Sequence, residues 1–471
     1  MNKTKTMFIS SLVYFVGRGL SGIVTMLMLP IYTNQISADN YGYYETINSV
    51  VIFVIPVLCV EIWTGMLKYA LNRTANKCDY TEKDVYSVGF FVLNIGCLIY
   101  AAGCTVLYFI RPYPYFWLIL LSGISLAYAC NEGYVARSEK KNATYAMSGV
   151  IGTFVNAGSG ILCVYVFGMQ AEALFIAYTA GNVAQIIWLE LNNKLFIKRK
   201  LKFFRVDKRL LKPMVIFCIP LGINSIVYYL MNNFNKLFIS GTMGDAATGI
   251  FSVAGKFMAI ATAVAAVIQY AWTELTFSLG DDEDKAKIYN SAMKIVTRLS
   301  LFLVLGMLPA IHVVFPYLIG AEYSDAFALI PIYYFSLGFT IINGFLTNIL
   351  RAENDTKTGL IGKIIACVFS LASLVLLIKP LGLQAAGVSM TLGAIVEYIC
   401  LSVALRKYKI KIYPISLLVF TVCYVVASFA FYSETILYSC IVFGVVGIAF
   451  IIMNKKFVVT TAKRIFKKEK N

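Results

Sequence analysis

Long apolar runs alternate with short polar gaps along almost the whole chain, and the runs have the length of membrane spans. A helix crosses a hydrocarbon core in about 20 apolar residues. That rule predicts fourteen helical spans, at about 8–30, 42–66, 86–109, 113–135, 143–167, 171–192, 213–240, 246–275, 288–316, 326–350, 358–379, 384–405, 413–432 and 435–453. The first run follows Lys3 and Lys5, is too long for a signal-peptide core and lacks a small-residue cleavage site. It is therefore expected to stay as a span.

The polar gaps are of two kinds. Most of the 41 Lys and Arg residues fall in every second gap, at 67–85, 136–142, 193–212, 276–287, 351–357, 406–412 and in the tail after Asn454. The intervening gaps hold only Arg111 and Lys379. Basic residues are retained on the cytoplasmic side during insertion, so both termini are expected in the cytoplasm. The outer gaps are short and carry acids such as Asp39, Asp245, Glu322, Asp325 and Glu434. None is long enough to fold as a catalytic domain, so no enzyme activity and no catalytic residue is expected.

A repeat underlies the spans. Tyr41-Gly42-Tyr43-Tyr44 follows the first span and Thr248-Gly249-Ile250-Phe251 follows the seventh; Gly168-Met169-Gln170-Ala171 opens the sixth and Gly382-Leu383-Gln384-Ala385 the twelfth. The two pairs recur at nearly the same offset, which predicts two pseudo-symmetric six-helix lobes of like orientation, related by an axis along the membrane normal. The expected organisation is a first lobe at 1–192, a basic linker at 193–212, a second lobe at 213–405, an appended pair of spans at 406–454 and a basic tail at 455–471.

Composition removes the soluble alternatives: 59% of residues are hydrophobic and 14% charged, against about 25% charged in soluble domains. The net charge of +17 is accounted for by cytoplasmic gaps and tail, and calls for no nucleic-acid partner. Eleven cysteines are scattered singly and His312 is the sole histidine, so buried thiols are expected and no metal site. Gly17-Arg18-Gly19-Leu20-Ser21-Gly22 has dinucleotide-loop spacing but lies inside a span with no strand before it, and Asp281-Asp282-Glu283-Asp284 reads as a solvated loop. Pro56, Pro220, Pro309 and Pro331 predict kinks within spans.

The candidate chemistry lies in polar residues inside apolar runs. A cation in hydrocarbon costs about 2.5–3.5 kcal/mol on insertion scales and persists with a partner, a wet cavity or an anionic ligand. Arg18, Lys256 and Arg298 fall near mid-span, Lys236 near an outer end, and Lys363 near a cytoplasmic end where it can snorkel. Ser11, Tyr14, Arg18, Ser21 and Thr25 share one helical face in span 1; Asn224, Tyr228, Asn232 and Asn235 line span 7; Thr248, Ser252 and Lys256 line span 8. A cleft between lobes lined by such stripes would offer amides and hydroxyls to sugars and cations to phosphate. The competing reading is interhelical hydrogen bonding, and for Arg298 an ion pair with Glu397. Glu61, Glu132, Glu397 and Glu45 are candidates for ion pairing or for proton or sodium coupling.

These residues bring a family into view. The stretch from Gly17-Arg18 through Leu29-Pro30-Ile31-Tyr32 to Tyr41-Gly42-Tyr43-Tyr44 resembles the opening of Wzx-type polysaccharide flippases, within the multidrug/oligosaccharidyl-lipid/polysaccharide exporter superfamily. Asn235-Lys236-Leu237-Phe238-Ile239-Ser240, Gly249-Ile250-Phe251-Ser252-Val253-Ala254 and Gly382-Leu383-Gln384-Ala385-Ala386-Gly387-Val388 resemble the family's spans 7, 8 and 12. The resemblance implies an all-α bundle in the bacterial cytoplasmic membrane that moves an undecaprenyl-diphosphate-linked oligosaccharide to the outer leaflet by alternating access. On that reading Arg18 and Lys256, with Lys236 and Arg298, would hold the diphosphate. The glycan would meet Asn224, Tyr228, Asn232, Asn235 and Ser252. Membrane lipids, and a polysaccharide polymerase or glycosyltransferases, are the partners implied; no cofactor is expected beyond a coupling proton or sodium ion. A drug or cation antiporter of the same superfamily, a lipid II flippase, and more remotely a glycan polymerase are the alternatives.

Overall fold

The structure, a computed structural model, describes residues 22–453 apart from 23, 77–79, 196–206, 279–284, 354, 411–413 and 434. Among these residues every regular element is a helix. The described end of α1 runs over 24–35. It is followed by α2 (Ala38–Leu58), α3 (Ile62–Asn76), α4 (Glu82–Ile110), α5 (Phe116–Ser138), α6 (Asn142–Tyr165), α7 (Ala171–Asn193), α8 (Lys208–Asn232) and α9 (Phe234–Met243). Then come α10 (Asp245–Ser278), α11 (Lys285–Leu318), α12 (Ala326–Ala352), α13 (Thr356–Leu381), α14 (Gln384–Leu405), α15 (Pro414–Tyr432) and α16 (Ile436–Met453).

Among the described residues eleven helices are long and apolar enough to cross a membrane, and they coincide with expected spans 2 to 12. Shorter apolar helices fall in spans 13 and 14, and α1 is the end of span 1. The chain is a multi-pass membrane protein. Large apolar side chains such as Phe109, Ile110, Trp117 and Leu376 point outward, at 80%, 75%, 71% and 74% exposure, which in water would be a liability and in lipid is the ordinary surface of a span.

Two expected spans are broken rather than kinked. Span 2 divides into α2 and α3 two residues beyond Pro56, where the helix closes as a Schellman motif: Glu61 N–H bonds Pro56 O at 2.9 Å and Val60 N–H bonds Val57 O at 3.0 Å. Val60 and Glu61 both sit at positive φ, 52° and 48°, a left-handed conformation that normally selects glycine at this place. Span 7 divides at Asn233, where α8 ends and α9 begins. Three asparagines in four residues, Asn232, Asn233 and Asn235, favour local side-chain hydrogen bonds over helix continuation.

Three helix starts on the basic side are capped: Thr81 and Asp84 form a capping box on α4, Asp207 caps α8 and Asp355 caps α13. On the opposite side Gly168 and Gly382 take positive φ, 62° and 55°, at the tight turns into α7 and α14.

The chain packs as two compact units, residues 1–252 with 320–323, and residues 253–319 with 324–471. In the first, α5 packs against α2, α3, α4, α6 and α7, and α6 lies along α7. A Cβ on Gly181 would come within 2.7 Å of Gly152 O, so glycine permits that approach. In the second, α12 is the most enclosed span, 72% buried over its apolar window, and α13 and α14 pack against it and each other, while α11 carries α15 and α16.

Candidate functional site

Lys236 lies in the first turn of α9, just past the break at Asn233, about 10 Å along the axis from the end of that helix at Met243. Its Nζ donates to Glu45 Oε2 of α2 at 2.5 Å; the lysine side chain is 20% exposed and the glutamate 5%. A cation expected to meet substrate is thus held by a buried carboxylate. Asn235, next to it, is buried. Ser252 is buried as well, and its Oγ has no hydrogen-bond partner among the described residues. Around the pair, α2 and the start of α10 cross closely. A Cβ on Gly42 would fall 1.7 Å from Asp245 O, and one on Gly249 would fall 2.3 Å from Ala38 O. Asp39 Oδ1 accepts from Ala246 N at 3.1 Å, capping α10. The 320–323 segment closes on the same region: Gly320 N–H bonds Thr33 Oγ1 at 3.1 Å, Tyr323 Oη donates to Ile36 O at 2.8 Å, and Ala38 N–H bonds Glu322 Oε1 at 2.8 Å.

Arg18 lies outside the described residues, as do Ser11, Tyr14 and Ser21. Asn224, Tyr228 and Asn232 lie on the helical backbone of α8, and their side chains are outside the description. In the second unit Lys256 of α10 is half-buried, about 17 Å along the helix from Asp245. Arg298 is half-buried in α11, about 20 Å from Lys285. The alternative partner for Arg298 is not Glu397: α14 packs on α12 and α13, so Glu397 accepts instead from Asn343 Nδ2 of α12 at 3.4 Å.

The other two carboxylates are also held by neutral groups. Glu61, presented by the left-handed turn, accepts from Ser225 Oγ of α8. Glu132 of α5 is fully buried; Asn193 Nδ2 of α7 reaches its Oε2 and its backbone oxygen, each at 3.3 Å. Among the described residues none of Glu61, Glu132 and Glu397 makes an ion pair, and no cluster of three metal-ligating side chains occurs. A groove of about 380 Å³ between α12 and α15 is lined by Phe335, Tyr424 and Phe429 among others, and by none of these cations.

Glu45 was legible in the sequence as a candidate for ion pairing, but its partner Lys236 and the helix end beside it were not. The asparagine-rich stretch before Lys236 was the available signal. What the arrangement offers is a lysine at a half-helix N-terminus inside the membrane, where the helix dipole favours anions.

A helical bundle of broken spans with cations inside its apolar segments defines a polytopic membrane protein, and its fold is that of known membrane proteins. The fold resembles the lipid II flippase MurJ in an inward closed conformation, with TM-score 0.68 at 15% identity over 95% of this chain and 100% of that chain. It also resembles an inward-facing multidrug resistance MATE transporter of the MOP superfamily (0.60, 15%, 82% and 99%) and an outward-facing one (0.56, 14%, 86% and 95%). At such identities the likeness is one of fold. No curated protein matches in sequence. The profile of the polysaccharide biosynthesis protein family matches residues 76–328, more than half of the chain, and the chain belongs to that family.

Proposed function

We propose that the protein is a flippase that carries an undecaprenyl-diphosphate-linked oligosaccharide from the cytoplasmic to the outer leaflet of a bacterial cytoplasmic membrane. The observation that carries this reading is the presence of cations at span depth, Lys236, Lys256 and Arg298, in a chain of the polysaccharide biosynthesis family. A diphosphate headgroup is the ligand for which such charges are worth their desolvation. Arg18, Lys256, Lys236 and Arg298 would meet the diphosphate, and Asn224, Tyr228, Asn232, Asn235 and Ser252 the sugars, while the polyprenyl chain stays in lipid. The two-lobed, six-plus-six organisation about the 193–212 linker, with both termini cytoplasmic, belongs to the same proposal, as does coupling to protons or sodium through Glu61, Glu132 or Glu397.

The test is surface polysaccharide display. Arg18→Ala with Lys256→Ala is expected to abolish display while the protein remains in the membrane; full display in the double variant would sink the assignment. A second reading, transport of lipid II, is favoured by the full-length fold likeness to a lipid II flippase. It predicts lysis on depletion rather than loss of a surface glycan alone.

A further inference from the structure

Lys236 is the cation that the structure shows committed to a partner at 2.5 Å, and the arrangement of that partner is asymmetric. Glu45 is the more enclosed of the two, 5% exposed against 20% for the lysine side chain. Lys236 also stands in the first turn of α9, where Asn233 provides no side-chain cap, so the N-terminal partial charge of α9 adds to the ammonium. The backbone around it is fixed: Lys236 N–H bonds Asn233 O at 3.1 Å, and Thr248 Oγ1 lies 3.5 Å from Lys236 O. Glu45 rides on α2, whose close crossing with the start of α10 at Gly42 and Gly249 holds it at that spot.

We infer that Glu45 is a displaceable counter-ion, which occupies Lys236 in place of a phosphate group and surrenders it when the diphosphate arrives. This rests on the substrate class proposed above. A buried carboxylate that gives up a cation it was paired with is destabilised, so each binding event works against the Glu45–Lys236 pair, and each release is helped by it. Glu45 is then a specificity-tuning residue: it lowers the affinity for diphosphate to a level from which the headgroup can leave. A purely structural pair would hold α2 to α9 and have no bearing on anion affinity.

The experiment measures the affinity of purified full-length protein in nanodiscs for inorganic pyrophosphate, and for undecaprenyl diphosphate, at fixed ionic strength. Glu45→Gln, which removes the competing charge and keeps the shape, is expected to bind both about tenfold more tightly than the native chain. Glu45→Gln with Lys236→Gln is expected to lose that gain. Glu45→Asp, which shortens the reach by one methylene, is expected to fall between, and serves if the glutamine variant does not fold. Unchanged or weaker binding overturns the inference. So does a gain that survives loss of Lys236, or one seen for inorganic pyrophosphate and not for the lipid. None of these outcomes touches the display assay on Arg18 and Lys256, so the counter-ion role and the flippase reading fail separately.

Discussion

Asp355 performs two tasks at the start of α13. It caps the helix, accepting from Thr358 N at 3.4 Å and Thr358 Oγ1 at 2.5 Å, and it pairs with Lys407 from the turn after α14. The lysine first, and then the threonine, hold its carboxyl at about 2, below the ordinary 3.8. A depressed folded-state value means that the ionised form stabilises the fold above about pH 3.8, and that this contribution is lost as pH falls toward 2. The Lys407 side chain is more than half exposed, so the effect is small and salt-sensitive. Thermal unfolding followed from pH 5 to pH 2 should decline more steeply for the native chain than for Asp355→Asn; identical slopes would remove the pair from the account of acid stability.

At the scale of helices, the unexpected features are the two breaks. Hydropathy sees span 2 and span 7 as continuous because apolar composition carries no information on backbone dihedrals. Pro56 and the asparagines were visible, but a proline inside a span commonly bends the helix without ending it. What decided the matter in span 2 was the Schellman closure on Val60, a β-branched residue at φ 52°, a conformation L residues avoid. Val60→Gly should therefore stabilise the protein by about 1 kcal/mol, read as a rise in melting temperature. A fall would mean that the side chain contributes more through packing than it costs in backbone strain. Residue placement was legible where periodicity set it, as for Lys256 and Arg298 at mid-span. It was not legible where partner choice depended on which helices touch: Glu397 meets Asn343 rather than Arg298 because α14 lies on α12 and α13.

Among the described residues the order of spans 2 to 12 followed from the 20-residue rule, since lipid leaves a spanning segment few alternatives to helix. Gly42 meets the backbone of Asp245, and Gly249 meets that of Ala38. Positions 38 and 42 thus face 245 and 249 reciprocally at a single offset of 207. A methyl group at either glycine would strike backbone rather than a movable side chain, so Gly42→Ala and Gly249→Ala should each destabilise by about 1–3 kcal/mol. Because both force the same two helices apart, the second substitution should cost less once the first has been made. The double variant, measured by thermal unfolding in the same detergent, is expected to fall clearly short of the sum of the singles. Strict additivity would show that the two glycines are accommodated independently, and that the reciprocal crossing is not one shared contact.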